Sequence, residues 1–350
     1  MHMADALISP AVGGLMWAAS VGTAAYSMKK IQDDLDEKKI PLMGVMGAFI
    51  FAAQMINFSI PGTGSSGHLV GGLLLAILLG PYAGFLTMAS ILLIQALFFA
   101  DGGLLAYGCN LFNLGFYSCL IAYPLIYQRL TSKGFTIKRI FWASMISSLV
   151  GVQMGAFSVV LETLLSGKTE LHFGTFLLLM LPIHLAIGVV EGLITAAITT
   201  FIWKASPEMI EKPATGRAPG RVSIKKPLVG LVMAALIVGG VLSWFASANP
   251  DGLEWSILRI TGQTELEATD GIYETFSEIQ SKTAFLPDYD FKSEENEGIE
   301  SIPIDSGQTR LAVSPGTSLS GLVGGALTLA LSVFTGLIIN TVKRKRRATA

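Results

Sequence analysis

The sequence predicts an all-α integral membrane protein, and three observations predict it. Of 350 residues, 51% are hydrophobic and only 14% charged, where a soluble domain usually carries about a quarter charged residues. The apolar residues fall into runs that repeatedly approach the roughly 20 needed to cross a bilayer as a helix. The charges, which nearly cancel to a net −1, are sorted by loop rather than spread evenly.

Reading apolar runs between polar breaks gives about nine crossings. The first runs from about Pro10 to Ser27 and ends at Lys29 and Lys30; the second runs from about Leu42 to Phe58. A Gly/Ser loop, Pro61 to His68, leads to a short third span ending near Gly80. The fourth covers about Tyr82 to Ala100, the fifth Leu104 to Tyr127, the sixth Phe141 to Leu165 and the seventh Phe173 to Trp203. Two more follow, Leu228 to Ala246 and Leu319 to Val342. Four basic stretches (Lys29 to Lys39, Arg129 to Arg139, Lys204 to Lys226 and the tail Lys343 to Arg347) then fall on one side, the cytoplasmic side by the positive-inside rule. The expected orientation is N-terminus outside, C-terminus inside.

The stretch from Ala205 to Lys226 holds Pro207, Pro213 and Pro219 with Gly216 and Gly220, the composition of a flexible join. It divides the chain into a seven-helix unit, residues 1–204, a cytoplasmic linker, 205–226, and a two-helix unit, 227–350. Within the second unit, residues 248–317 form an external segment rich in Asp and Glu. Two readings of it stand side by side: a solvated acidic loop, or a surface that attracts cations or docks onto the first unit. No internal repeat suggests an inverted-repeat carrier. Cys109 and Cys119 lie in one apolar run and form neither a metal motif nor a disulfide framework. The opening MHMADALISP lacks the basic region and cleavage site of a removable signal, so the N-terminus is expected in the working protein.

That N-terminus carries the sharpest chemical signal. The Met1 amine, the His2 backbone nitrogen and His2 Nδ1 can close a five- and a six-membered chelate ring around one ion. Three coplanar nitrogens leave one in-plane position, and a planar four-nitrogen site suits Ni(II) or Cu(II) better than Zn(II), Mg(II) or Ca(II). The fourth donor is expected to be an external imidazole. His68, at the end of the glycine loop, is one candidate, and His172, on another external loop, is the competitor. Against this stands the ordinary reading, that a histidine at position 2 does nothing in particular.

Gln54, Asn57, Asn110 and Asn113 are candidates to orient the loop or the ligand ring, or to bind helices together. Asp5 hydrogen-bonds the N-terminal tail, balances metal charge or lies on the surface. His184 and Glu191, seven residues apart on one helix face, and Glu162 in the neighbouring span are ionisable groups inside the membrane, functional candidates by default. The pattern Ala18-x-x-x-Gly22 points to close helix packing.

The opening MHMADALISP with GAFIFAAQMINFSIPGTGSSGHLVGG, Gly47 to Gly72, closely resembles the CbiM/NikM proteins, substrate-specific components of energy-coupling-factor (ECF) transporters for cobalt and nickel. FFADGGLLAYGCNLFNLGF, Phe98 to Phe116, fits the same family, and ANPDGLEWS, Ala248 to Ser256, resembles the small two-span CbiN/NikN partner. The resemblance covers nearly the whole chain as a fused protein. It implies that Met1, His2 and His68 bind Ni(II) or Co(II) as transported substrate. It also implies a transmembrane coupling protein and cytoplasmic ATPases as partners, in the plasma membrane of a prokaryote, and no nucleic acid. The chain has no G-x-x-x-x-G-K-[ST] phosphate loop and no H-E-x-x-H, so neither ATP hydrolysis nor metalloenzyme chemistry is expected of it. The alternative is a proton-coupled metal carrier using Glu162, His184 and Glu191.

Overall fold

The computed structural model describes residues 1–34, 39–214, 225–268, 271–291 and 315–349. Long apolar runs become helices because a backbone in lipid must satisfy its own hydrogen bonds. The helices are α1 (Pro10–Asp34), α2 (Lys39–Gln54), α3 (Gly72–Leu79), α4 (Pro81–Phe98), α5 (Tyr107–Thr131), α6 (Ile137–Leu165) and α7 (Phe173–Ala205). Then come α8 (Pro207–Ala214), α9 (Lys225–Gly240), α10 (Gly252–Thr261), α11 (Ile272–Thr283) and α12 (Pro315–Thr349).

Among the described residues, five helices are long and apolar enough to cross a membrane: α4, α5, α6, α7 and, in α12, Pro315–Lys345. Lys39–Gln54 and Pro227–Gly240 are shorter apolar helices. This makes the chain a multi-pass helical membrane protein. The expected third span is the eight-residue α3. It rises only about 12 Å, less than half of the roughly 30 Å hydrocarbon layer, and every residue in it is buried by its neighbours.

Two further departures from the sequence reading have local causes. The fold is not purely helical: the glycine loop forms an antiparallel hairpin, β1 (Phe58–Ile60) with β2 (Ser65–Gly67), in the register Phe58–Gly67, Ser59–Ser66 and Ile60–Ser65. Gly62 and Gly64 turn it, at φ 76° and 74°, angles that glycine adopts without strain. The expected flexible linker begins as α8, whose Met209 and Ile210 are buried and pack it against α7 and α3. Its remainder, 215–224, lies outside the described residues, as does 292–314 of the acidic segment.

The two halves of the chain form one packed body. Helix α2 lies between α4 and the second half's α9 and α12. At one end of the bundle converge the residues before α1, the hairpin after α2, the loop between α4 and α5, and α10. The candidate site is built where they meet.

Candidate metal-capture site

The N-terminal segment is clamped before it reaches the site. The Asn110 side-chain amide pairs with the Met3 backbone, accepting from its N–H at 2.7 Å and donating to its carbonyl at 3.1 Å. Gly103 N–H donates to the same carbonyl at 2.9 Å. Asp5 Oδ1 accepts from Ala106 N–H at the start of α5, 2.9 Å. These contacts bury Met1 and Met3 and hold the Met1 amine against the glycine loop.

The amine lies 3.2 Å from His68 Nε2 and 2.6 Å from Asp251 Oδ2. His68 Nδ1 faces its neighbour's carbonyl, Leu69 O, at 3.2 Å. A carbonyl only accepts, so that nitrogen carries the proton and Nε2 keeps its lone pair toward the amine. The loop after His68 is fixed in turn. Glu191 of α7 accepts from Val70 N–H at 2.8 Å and Gly71 N–H at 2.9 Å, just ahead of α3. Gln54 donates to Val70 O at 2.8 Å and accepts from Gln95 at 2.9 Å. Gly67 lies so close to α7 that a Cβ would meet Ile187 Cγ1 at 2.5 Å.

The His2 ring stacks on the His68 ring, with centroids 5.1 Å apart and planes 13° from parallel. Its Nδ1 faces Asp101 Oδ1 at 3.2 Å. Burial pushes the imidazole down to about 4, against the opposing pull of Asp101, so His2 is neutral at neutral pH and able to offer a lone pair. Tyr289, from the second half, hydrogen-bonds the other oxygen of Asp101.

Asp251 is the element that sequence reading passed over. The tract PDGLE folds as a capping box: Asp251 Oδ1 accepts from Leu253 and Glu254 N–H at 2.7 and 2.9 Å, while Glu254 accepts from Asp251 N–H at 2.8 Å. With Oδ1 committed to the helix, Oδ2 is aimed at Met1. Burial alone would raise this carboxyl, but the Met1 ammonium beside it holds it well below the usual carboxylate range. Gly252 allows the approach, since a Cβ there would meet Ile183 Cγ2 at 2.9 Å and His184 Cε1 at 3.1 Å. The segment is also tied to the hairpin: Ser66 N–H donates to Pro250 O at 2.8 Å, and Trp255 Nε1 to Thr63 O at 3.0 Å. Asn57 contributes its backbone, whose carbonyl accepts from Ser247 N–H at 2.7 Å.

Met1, Gly67, His68, Val70, His184, Ile187 and Asp251 line a small cavity of about 10 Å³, room for about one water-sized particle. Of the residues singled out from sequence, Met1 and His68 meet there, His2 stacks beside them, and Gln54 and Asn110 position the elements that carry them. Asn113 is one step removed, donating to Glu162 Oε2 at 2.8 Å. His172 is exposed ahead of α7 and is not among the residues lining the cavity. Asp101 and Asp251 were legible only as a carboxylate next to glycines and as an Asp-x-x-Glu box.

A cavity sized for one particle, lined by an amine, two imidazoles and a carboxylate, lies at one end of a helical membrane bundle, and the proteins this chain is similar to are metal-transport proteins. The chain belongs to the CbiM family, "Cobalt uptake substrate-specific transmembrane region", whose model matches residues 2–209, and it continues into a PDGLE domain over 225–341. It is 32% identical to the "Putative fused nickel transport protein NikMN" of Archaeoglobus fulgidus, over 95% of this chain and 96% of that one. It is 30% identical to the "Fused nickel transport protein NikMN" of Rhodobacter capsulatus, over 63% and 67%. A solved structure titled as a transition metal transporter is similar at 31% identity and a TM-score of 0.52, covering 59% of this chain and 93% of that one. This is a CbiM/NikM-type protein fused to a NikN-like unit.

Proposed function

We propose that the chain captures Ni(II) or Co(II) outside a prokaryotic plasma membrane, as the substrate-binding subunit of an ATP-driven ECF transporter. The ion is held by the Met1 amine, the His2 backbone nitrogen, His2 Nδ1 and His68 Nε2. One observation carries this reading: the Met1 amine and His68 Nε2 already stand 3.2 Å apart. Two nitrogens each about 2.0 Å from one ion and at right angles are about 2.8 Å apart, so a small closure brings both onto it. His2 Nδ1 joins by turning from Asp101. A planar four-nitrogen set favours Ni(II) over Co(II) through ligand field and the affinity order.

In this reading the N-terminus and residues 248–317 lie outside and the C-terminus inside, the short α3 making the third of nine passes together with the loop that leads into it. Residues 1–204 form the capture unit, 205–226 the cytoplasmic join and 227–350 the NikN-like unit. Energy comes from a transmembrane coupling protein and cytoplasmic ATPases. A proton-coupled carrier is less well supported, because two of the three groups it needs have other partners. Glu191 binds the backbone ahead of α3, and Glu162 accepts from Asn113 and Ser158.

His68→Leu tests the assignment. Nickel titration of the purified full chain is expected to show binding weakened roughly 100-fold or more, beyond the 10- to 100-fold of a supporting residue. Binding equal to that of the unaltered chain would remove His68 from the site.

A further inference from the structure

His184 has no part in the chelate of Met1, His2 and His68, yet it opens onto the same cavity. Its ring is buried, at 1% relative exposure. Nδ1 lies 2.8 Å from Met180 O, one helical turn back. Because that carbonyl only accepts, Nδ1 carries the proton and Nε2 the lone pair. Nε2 is buried without a hydrogen-bond partner among the described residues. The groups around it leave it unpaired: Asp251 Oδ2 accepts only, His68 Nε2 holds a lone pair of its own, and the Met1 ammonium makes hydrogen bonds to those two and none to His184 Nε2. An unpaired lone pair aimed into a cavity sized for one particle is matched by a cation placed there.

We infer that His184 Nε2 is an axial donor to the transported ion and sets how the site treats Co(II) against Ni(II). This rests on the four-nitrogen chelate proposed above. That chelate fills every in-plane position, so a fifth nitrogen on the same cavity has only a place off the plane. The two ions use such a nitrogen differently. Planar Ni(II) has eight d electrons and a filled orbital along the normal to the plane, so an axial lone pair adds little. Low-spin Co(II) has seven, with a single electron in that orbital, and gains a bond from the same lone pair. The preference of a planar site for nickel is thereby narrowed, and one cavity accepts both ions.

The test is an oxygen-free titration of the purified full chain with Co(II) and with Ni(II), with electron paramagnetic resonance of the cobalt form. The unaltered chain is expected to show the splitting of a single axial nitrogen nucleus. In His184→Leu that splitting should vanish, and the ratio of cobalt to nickel affinity should fall about 10- to 100-fold. Nickel binding by the variant, measured in parallel, shows that the site has formed, and the spectrum of the unaltered chain needs no variant at all. Nickel bound but no axial nitrogen in the cobalt form would overturn the role of His184 and leave the chelate standing. Failure of the unaltered chain to bind either ion would overturn the chelate itself, and His184 with it.

Discussion

The Met1 ammonium donates to Asp251 Oδ2 at 2.6 Å, and in the proposed chelate the charge that Asp251 faces is conserved through binding. Before the ion arrives there is one ammonium. Afterwards there is a dication, a neutral amine and a deprotonated His2 amide, again one positive charge. Asp251 thus holds the N-terminus in the cavity while weighing little on the final affinity. Asp251→Asn keeps a side chain that caps α10 but leaves a buried ammonium without its counter-charge, a loss of about 3–5 kcal/mol. Nickel affinity is expected to change less than about tenfold. In the metal-free variant, however, an amine-directed reagent should label Met1 several times faster. Equal labelling rates would mean that Asp251 does not retain the N-terminus.

At the scale of elements, the site is a junction of pieces that each depend on a neighbour. The hairpin carries His68, α7 fixes the hairpin's exit through Glu191, and α10 closes the cavity through its capping box. Glu191→Gln trades a carboxylate that accepts two backbone N–H groups for an amide with one acceptor oxygen. Nickel binding is expected to weaken about tenfold while the protein stays folded, as near-ultraviolet circular dichroism would report. An unchanged affinity would show that the loop holds His68 without this brace.

Much of this was legible in the sequence. The long apolar runs gave the helices, and glycines next to His68 marked a tight loop. An imidazole at position 2 beside a free amine pointed, by its own covalent geometry, to the chelate proposed here. Three features were not legible, for physical reasons. The hairpin is too short to show strand periodicity. Helix α3 looks like a span until its length is set against the bilayer. Asp101 and Asp251 act on Met1 and His2 from about 100 and 250 positions away, a proximity that only the packing of α4, α5 and α10 creates. Asp251 could have been found as the first residue of an Asp-x-x-Glu capping box, a signal independent of any family.

Across the whole molecule, the second half braces both sides of the capture site. Asp251 reaches the amine and His68, while Tyr289 bonds Asp101 beside His2. Gln280 adds hydrogen bonds to Ala96 O and Gly102 O, both at 2.9 Å. We propose that this segment orders the loops that carry Met1, His2 and His68 and so helps to load the ion. Deleting residues 248–317 from the full chain should lower uptake about tenfold at limiting metal, with less effect when metal is abundant. Uptake equal to that of the intact protein at limiting metal would rule out this role.

The central claim is that the Met1 amine itself binds the ion, and a chain extended by two glycines ahead of Met1 tests it most directly. Every side chain is then unchanged, and only the amine is displaced from the cavity. Nickel titration of both purified chains should show binding weakened roughly 100-fold or more in the extended one. The absorption spectrum of planar Ni(II) should appear only with the native N-terminus. The same affinity and spectrum in both chains would contradict the account and place the ion on donors other than the N-terminal chelate.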